Sequence, residues 1–314
     1  MKRISIMLLA MLVLGMTACG GANSKPASAP ASGSAEPEVS APESASESDA
    51  GKKVILVVSF GTSYNETRAA TIGAVETAIA DAYKDFEVRR AFTSQIIINK
   101  LKSRDNEQID NVEEAMNRLV ADGVKTLVVQ PTHVMNGFEY DEMVEAITPF
   151  ADKFDAISIG KPLLSSDKDY AELADIITEE TTQYNVVKTA VVFMGHGTEH
   201  PANATYAKLD GILKAMSNAE NYHIGTVEAA PSLEDVMTGV AKTDATKVVL
   251  LPLMIVAGDH ACNDMAGDEE DSWKTQFKGE GYEVECVIKG LGEYPGIQKM
   301  FVEHTQDAID ALGK

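Results

Sequence analysis

Two of the six histidines stand where a parallel-sheet protein keeps its ligands. His196 lies in the run Met194, Gly195, His196, Gly197, Thr198, directly after an apolar stretch from Thr189 to Phe193 that reads as a buried strand. His260 follows Gly258 and Asp259, shortly after a second such stretch, Lys247 to Leu251. Open parallel sheets bind ligands outside the carboxyl ends of their strands. The glycines on either side of His196 let the backbone turn tightly and let a ligand come close. Glu228 ends a third, shorter strand-like run that begins at His223, and can converge with the two histidines. Two imidazoles and one carboxylate suit a borderline divalent cation: Fe2+, Co2+, Ni2+ or Zn2+. No Cys-x-x-Cys pair occurs, so such a site has to be assembled from strands far apart in sequence.

The remaining candidates are read against plainer roles. Asp259, beside His260, is expected to be the carboxylate that supports a metal-bound imidazole. His133 follows Pro131 at another strand end, and is either a cleft-lining residue or a turn histidine. His200, His223 and His304 have no supporting context and are expected at the surface. Cys262 reads as a small buried hydrophobe or a disulfide partner of Cys286. Ser59 and Ser63 flank Gly61, but no Gly-x-Ser-x-Gly elbow exists, which argues against a serine hydrolase.

The elements that must position these residues alternate. Val54 to Val58 predicts a buried parallel strand, followed by a helix over 66–83, a short extended piece over 86–90 and a helix over 112–121. Further strands are expected over 126–130 and 156–159, with a helix over 170–182. Strands alternating with helices imply α/β architecture, with parallel sheets covered on both faces. The second half repeats the first. Aligning Gly61 and Thr62 with Gly197 and Thr198 sets Phe60 opposite His196. Pro131 and Gly137 are spaced as Pro252 and Gly258 are, which sets Glu139 opposite His260. Two similar α/β lobes, 51–185 and 186–314, follow, with the metal-ligand candidates confined to the second.

Composition narrows the partners. With 27 Lys and Arg against 48 Asp and Glu, the formal charge of −21 repels phosphate backbones, so nucleic-acid binding is not expected. Lys2 and Arg3 precede an apolar stretch from Ile4 to Met16, which is shorter than the ~20 residues a spanning helix needs but suits a secretory signal. Gly15 to Cys19 resembles the bacterial lipobox, which implies a signal peptide over 1–18 and lipidation of Cys19. Residues 20–50, nearly all Ser, Ala, Pro, Glu and Gly, read as a flexible tether. The expected location is extracytoplasmic, with a bacterial membrane touched only through that anchor. A homo-oligomer is compatible with the sequence, and no organic cofactor is expected.

Several blocks carry a family resemblance: Val57 to Ser63, Arg90 to Ser94, Pro162 to Ser166, Val192 to Gly197, Leu251 to Met254, Ala257 to His260, Asn263 to Met265, Asp271 to Lys274 and Gly290 to Glu293. In this order across 51–314, they resemble the sirohydrochlorin cobaltochelatases of the anaerobic cobalamin pathway. The resemblance implies a class II chelatase fold, two Rossmann-like lobes with a tetrapyrrole in the cleft between them. It implies Co2+ as substrate metal, held by His196, Glu228 and His260, with the two histidines catalytic. Phe60, Arg90, His133 and Lys161 are the expected tetrapyrrole-binding residues. Because sirohydrochlorin carries many carboxylates, a local basic patch is expected from Arg89, Arg90, Lys100 and Lys161. The extracytoplasmic address is unusual for cobalamin synthesis, and leaves a second reading: a tetrapyrrole, haem or metal-binding lipoprotein built on the same fold.

Overall fold

The computed structural model describes residues 51–216 and 218–313. The signal, Cys19 and tether expected over 1–50 lie outside the described residues.

Val54 to Val58 are wholly shielded from solvent, as a strand covered on both faces must be, and form β1 (Lys53–Ser59). It lies between β2 (Glu87–Phe92) and β3 (Thr126–Pro131), and β4 (Ala156–Ile159) pairs with β3, all parallel, in the order β2-β1-β3-β4. The second half makes a second parallel sheet from β5 (Thr189–Gly195), β6 (Tyr222–Thr226), β7 (Lys247–Pro252) and β8 (Glu283–Cys286), in the order β6-β5-β7-β8. The two orders are the same.

The repeat extends to single residues. Val58 pairs with Pro131 in the first sheet, and Met194 with Pro252 in the second. Ser59 stands opposite Phe92 as Gly195 stands opposite Thr226. Beyond the strands, the Thr132 N–H donates to the Val58 carbonyl at 2.8 Å and the Leu253 N–H to the Met194 carbonyl at 2.7 Å. Gly61 and Gly197 both take the left-handed region, at φ 97° and 87°. The correspondence of Phe60 with His196, read from a short motif, is therefore a correspondence of position in the fold.

Helices cover both sheets. The segment expected as one helix over 66–83 is α1 (Asn65–Arg68) and α2 (Ala74–Ala82), joined by a wide turn at Ala69–Gly73. After α3 (Gln95–Asp105) comes α4 (Val112–Ala121), started by an Asn111–Glu114 capping box and burying Val112, Ala115, Met116 and Leu119 at helical spacing. With α5 (Phe138–Ile147) it closes the outer face of the first sheet, against Val54, Leu56 and Val58. On the second sheet, α8 (Leu233–Val240) and α9 (Trp273–Gly279) do the same against Val192 and Met194.

One continuous core lies on the inner faces. It joins Ile55, Val57 and Val128 of the first sheet to Val191, Phe193 and Val249 of the second, through α2, α6 (Asp167–Glu180), α7 (Ala204–Ala215) and α10 (Pro295–Asp310). Helices cross between the halves here. α6 packs on α7, whereas α10, last in the chain, packs on β3 and α2. The crossing is tied by polar contacts: Thr305 donates to Gln130 Oε1 at 3.3 Å, and His304 Nε2 meets Asp169 Oδ1 at 3.4 Å.

Two histidines expected at the surface are in fact buried. His304 is shut in by the α6–α10 contact with Asp169, and His223 lies on β6 beneath α8, where Gly239 lets the helix close over its ring. Burial pushes the His223 imidazole down to about 4, and its Nε2 has no hydrogen-bond partner. An unfolded histidine titrates near 6.5, so the unfolded chain takes up the proton first. Stability is then full above pH ~6.5 and falls progressively towards pH 4, by about 3 kcal/mol for this side chain. Urea unfolding of wild type and His223→Leu at pH 7 and pH 4.5 checks this. The variant should lose less stability on acidification; an equal loss would contradict the assignment.

Candidate metal centre

The turn after β5 carries His196. Gly195 leaves no room for a side chain, since a Cβ there would lie 2.2 Å from the Tyr206 ring. The Tyr206 hydroxyl, on a buried ring, accepts the Gly197 N–H at 3.3 Å and pins the turn. Pairing continues past the strand ends, with Val227 N–H on the Gly195 carbonyl at 3.0 Å and Glu228 N–H on the His196 carbonyl at 2.9 Å. That brings Glu228 alongside His196. His260 arrives from the loop after β7 and opens a wide helical turn, Ala261–Met265, of the kind often found at functional positions.

The three side chains converge as expected. One ligand atom from each of His196, Glu228 and His260 lies within 4.8 Å of the others. The two rings meet edge to face, with centroids 4.7 Å apart. His196 Nδ1 lies 2.7 Å from the Gly197 carbonyl oxygen and 3.8 Å from Glu228 Oε2, while His260 Nδ1 lies 2.7 Å from Asp264 Oδ2. All these neighbours are acceptors, so each Nδ1 carries the proton and each Nε2 lone pair is left for a cation.

The carboxylate behind His260 is therefore Asp264, not Asp259. Four residues along a helical turn bring a side chain back to the same face, whereas the immediate neighbour points away. Asp259 instead accepts from the Tyr64 hydroxyl at 3.2 Å and from Asn263 Nδ2 at 3.1 Å. His200 stands four residues after His196, but a turn and not a helix separates them. His200 Nε2 goes to Asp141 Oδ2 at 3.3 Å, and its Nδ1 accepts the Ala202 N–H. Cys262 and Cys286 are both free thiols, so the disulfide alternative does not hold.

The expected tetrapyrrole contacts divide. Phe60, after β1, is an exposed aromatic. His133 lies after β3 with both ring nitrogens shut off from solvent and unpartnered, and burial pushes its imidazole down to about 4. Lys161 is exposed just beyond β4. Arg90 is not brought to the site: its guanidinium is spent on Glu76, at 2.7 and 2.5 Å, midway along β2. Arg89 is likewise held by Glu87 and Asp122. Lys100 sits in the middle of α3. The expected basic patch is thus absent as a unit, because nearby carboxylates of an acidic chain neutralise both arginines.

The carboxyl edges of the two sheets touch at two related places. Tyr64 reaches Asp259, and under the repeat these positions correspond to His200 and Phe138, whose rings stand 4.9 Å apart. The positions matching His196, Glu228 and His260 in the first half are Phe60, Ser94 and Glu139. The three converging side chains therefore belong to one half only.

Gly197 fixes the geometry. An added Cβ would lie 2.8 Å from the Ala229 backbone nitrogen, and the left-handed φ disfavours any other residue. Gly197→Ala should cost about 1–3 kcal/mol of stability and weaken Co2+ binding by displacing His196 from Glu228. Thermal melting and a Co2+ titration check both effects, and unchanged Co2+ affinity would contradict the role given to the turn.

A duplicated pair of parallel sheets, with two imidazoles and a carboxylate converging at the carboxyl edge of the second sheet, defines an α/β protein with a donor set suited to a divalent cation. Comparison with known proteins sharpens that class. Residues 53–310 match the family model described as "Cobalt chelatase (CbiK)", and the chain belongs to that family. It is 40% identical over 259 residues to a sirohydrochlorin cobaltochelatase of Salmonella typhimurium, covering 82% of this chain and 97% of that protein. It is 30% identical over 263 residues to the sirohydrochlorin cobaltochelatase CbiKC of Nitratidesulfovibrio vulgaris, covering 83% and 92%. Among solved structures, SirB from Bacillus subtilis with Fe3+ shares the fold, with a TM-score of 0.57 at 16% identity, over 82% of this chain and 95% of that one.

Proposed function

We propose that this protein inserts Co2+ into sirohydrochlorin, releasing the two pyrrole N–H protons. The observation that carries this reading is the convergence of His196, Glu228 and His260 within 4.8 Å at the carboxyl edge of the second sheet. Three protein donors hold the cation from one side and leave coordination positions open towards the macrocycle. As pyrrole nitrogens bind the metal, the protein donors are released in turn. One of the freed imidazoles accepts one pyrrole proton, and the second passes to solvent. A cation of charge +2 enters as two protons leave, so the charge of the macrocycle core is unchanged. Neutral imidazoles and one carboxylate also accept Fe2+, Ni2+ and Zn2+, so these metals should compete with Co2+. The net charge of −21 draws cations towards the surface.

The test is direct. Full-length protein, Co2+ and excess metal-free sirohydrochlorin should give the absorbance change of metallation over many turnovers, well above the protein-free rate. Tight binding of the tetrapyrrole with no insertion would replace this reading by a carrier. We further propose that Lys2 to Cys19 direct export and lipid attachment at Cys19. Metabolic labelling with a fatty-acid probe in a bacterial host should mark wild type and not Cys19→Ala.

A further inference from the structure

The repeat leaves one of two matching sheet edges unfinished. β2 and β6 occupy the same edge of their sheets, and Phe92 corresponds to Thr226. Backbone groups along a strand point alternately to its two sides. The Thr93 N–H donates inward to the Ser59 carbonyl at 2.9 Å and the Phe92 N–H outward to the Asp110 carbonyl at 3.0 Å, so those of Val88 and Arg90 also point outward. On β6 the outward groups are those of Tyr222, Ile224 and Thr226, and all three are satisfied. Tyr222 donates to the Ala219 carbonyl at 3.1 Å, Ile224 to Asp210 Oδ1 at 3.2 Å and Thr226 to the Pro231 carbonyl at 2.7 Å. On β2 only Phe92 has an acceptor among the described residues; Val88 and Arg90 have none.

The difference has a side-chain cause. Asp210 lies on α7, the helix that joins β5 to β6. The helix joining β1 to β2 ends in α2, which offers Glu76, but both Glu76 oxygens are taken by the Arg90 guanidinium. A cavity of about 660 Å³ opens beside Val88, Arg89 and Arg90, walled by Thr77 and Ala80 of α2 and by Ile109. Exposed edges are commonly blunted by proline or a bulge. β2 contains no proline, and its register with β1 is unbroken.

We infer that this edge pairs with β2 of a second copy of the chain, antiparallel across a twofold axis, so that one sheet runs through the dimer. Charge sets the register. With the axis at Val88, the Val88 N–H donates to the carbonyl of Val88 of the partner subunit, and the Arg90 N–H to that of Phe86 of the partner subunit. Both open donors of each copy are then used, and the overlap stops short of Phe92, whose N–H Asp110 already holds. Glu87 falls opposite Arg89 of the partner subunit, in a non-hydrogen-bonded pair, where facing side chains stand closest. Moving the axis to Arg89 would also use both donors, but sets Arg89 against Arg89 of the partner subunit, and like charges directly opposite are destabilising. The interface lies on the first sheet and the three converging donors on the second, so dimer formation is independent of the chelatase reading.

Sedimentation equilibrium of the full-length protein tests this. Wild type should have twice the mass of one chain. Val88→Pro removes an outward N–H that the ladder with β1 does not use, and should weaken the dimer about tenfold or more with little change in melting temperature. Glu87→Lys places two cations opposite each other and Arg89→Glu two acids, so each variant alone should be monomeric. Mixed in equal amounts they should form a heterodimer, in which both facing pairs are opposite in charge. A monomeric wild type, a dimer as tight as wild type in Val88→Pro or in either charge variant, or no dimer on mixing would overturn the inference. If Val88→Pro does not fold, the mixing experiment decides alone.

Discussion

His196→Ala and His260→Ala should each lower the rate of Co2+ insertion by more than about a hundredfold, because even the partners behind metal ligands are commonly worth 10–100-fold. Each variant removes one of only three converging donors, and the remaining imidazole and Glu228 cannot enclose a cation from one side. Both rings also present the same atom. Each Nδ1 faces an oxygen acceptor, so each Nε2 is open, and neither histidine can substitute for the other. Initial rates of metallation at subsaturating Co2+ check the effect. Retention of more than about a tenth of the wild-type rate by either variant would remove that histidine from the ligand set. Melting temperatures should stay near wild type, since both rings are partly exposed and carry little of the core.

Asp264→Asn should be the next most damaging change that leaves all three ligands in place. The carboxylate at 2.7 Å holds the proton on His260 Nδ1. An asparagine of the same size can turn its amide N–H towards Nδ1 and move the proton to Nε2, the atom needed for the cation. A comparable Asp→Asn change beside a catalytic histidine leaves geometry intact but sets the wrong tautomer. Co2+ affinity should fall about 10–100-fold. Asp259→Asn breaks only the contacts with Tyr64 and Asn263, and should cost a few-fold at most. Equal effects of the two changes in a Co2+ titration would contradict the tautomer argument.

Much of this architecture is legible in the sequence because strands buried on both faces read as unbroken apolar runs. Val54 to Val58 and Thr189 to Phe193 lie where such runs predict, and their strand ends locate His196. The repeat is legible through glycine and proline, whose backbone demands at Gly61, Gly197, Pro131 and Pro252 survive while side chains diverge. Other features depend on contacts that no local pattern encodes. His304 is buried by Asp169, 135 residues away. His223 sits beneath a helix whose Gly239 makes the space. Arg90 carries the right charge for a carboxylate-rich ligand, but a glutamate 14 residues earlier reaches it first. Asp264 was detectable in principle, as the residue four after His260. Recognising it requires knowing that a helical turn begins at His260, and the acid-rich run around it hides that start.

The central claim, that His196, Glu228 and His260 hold the substrate cation, is tested most directly by anomalous diffraction at the cobalt edge from crystals grown with Co2+. The account predicts one strong peak, about 2.0–2.2 Å from both Nε2 atoms and a Glu228 carboxylate oxygen, the range for imidazole and carboxylate ligands of a comparable cation. A peak held by other side chains, or no ordered cobalt between these three at saturating Co2+, would contradict it.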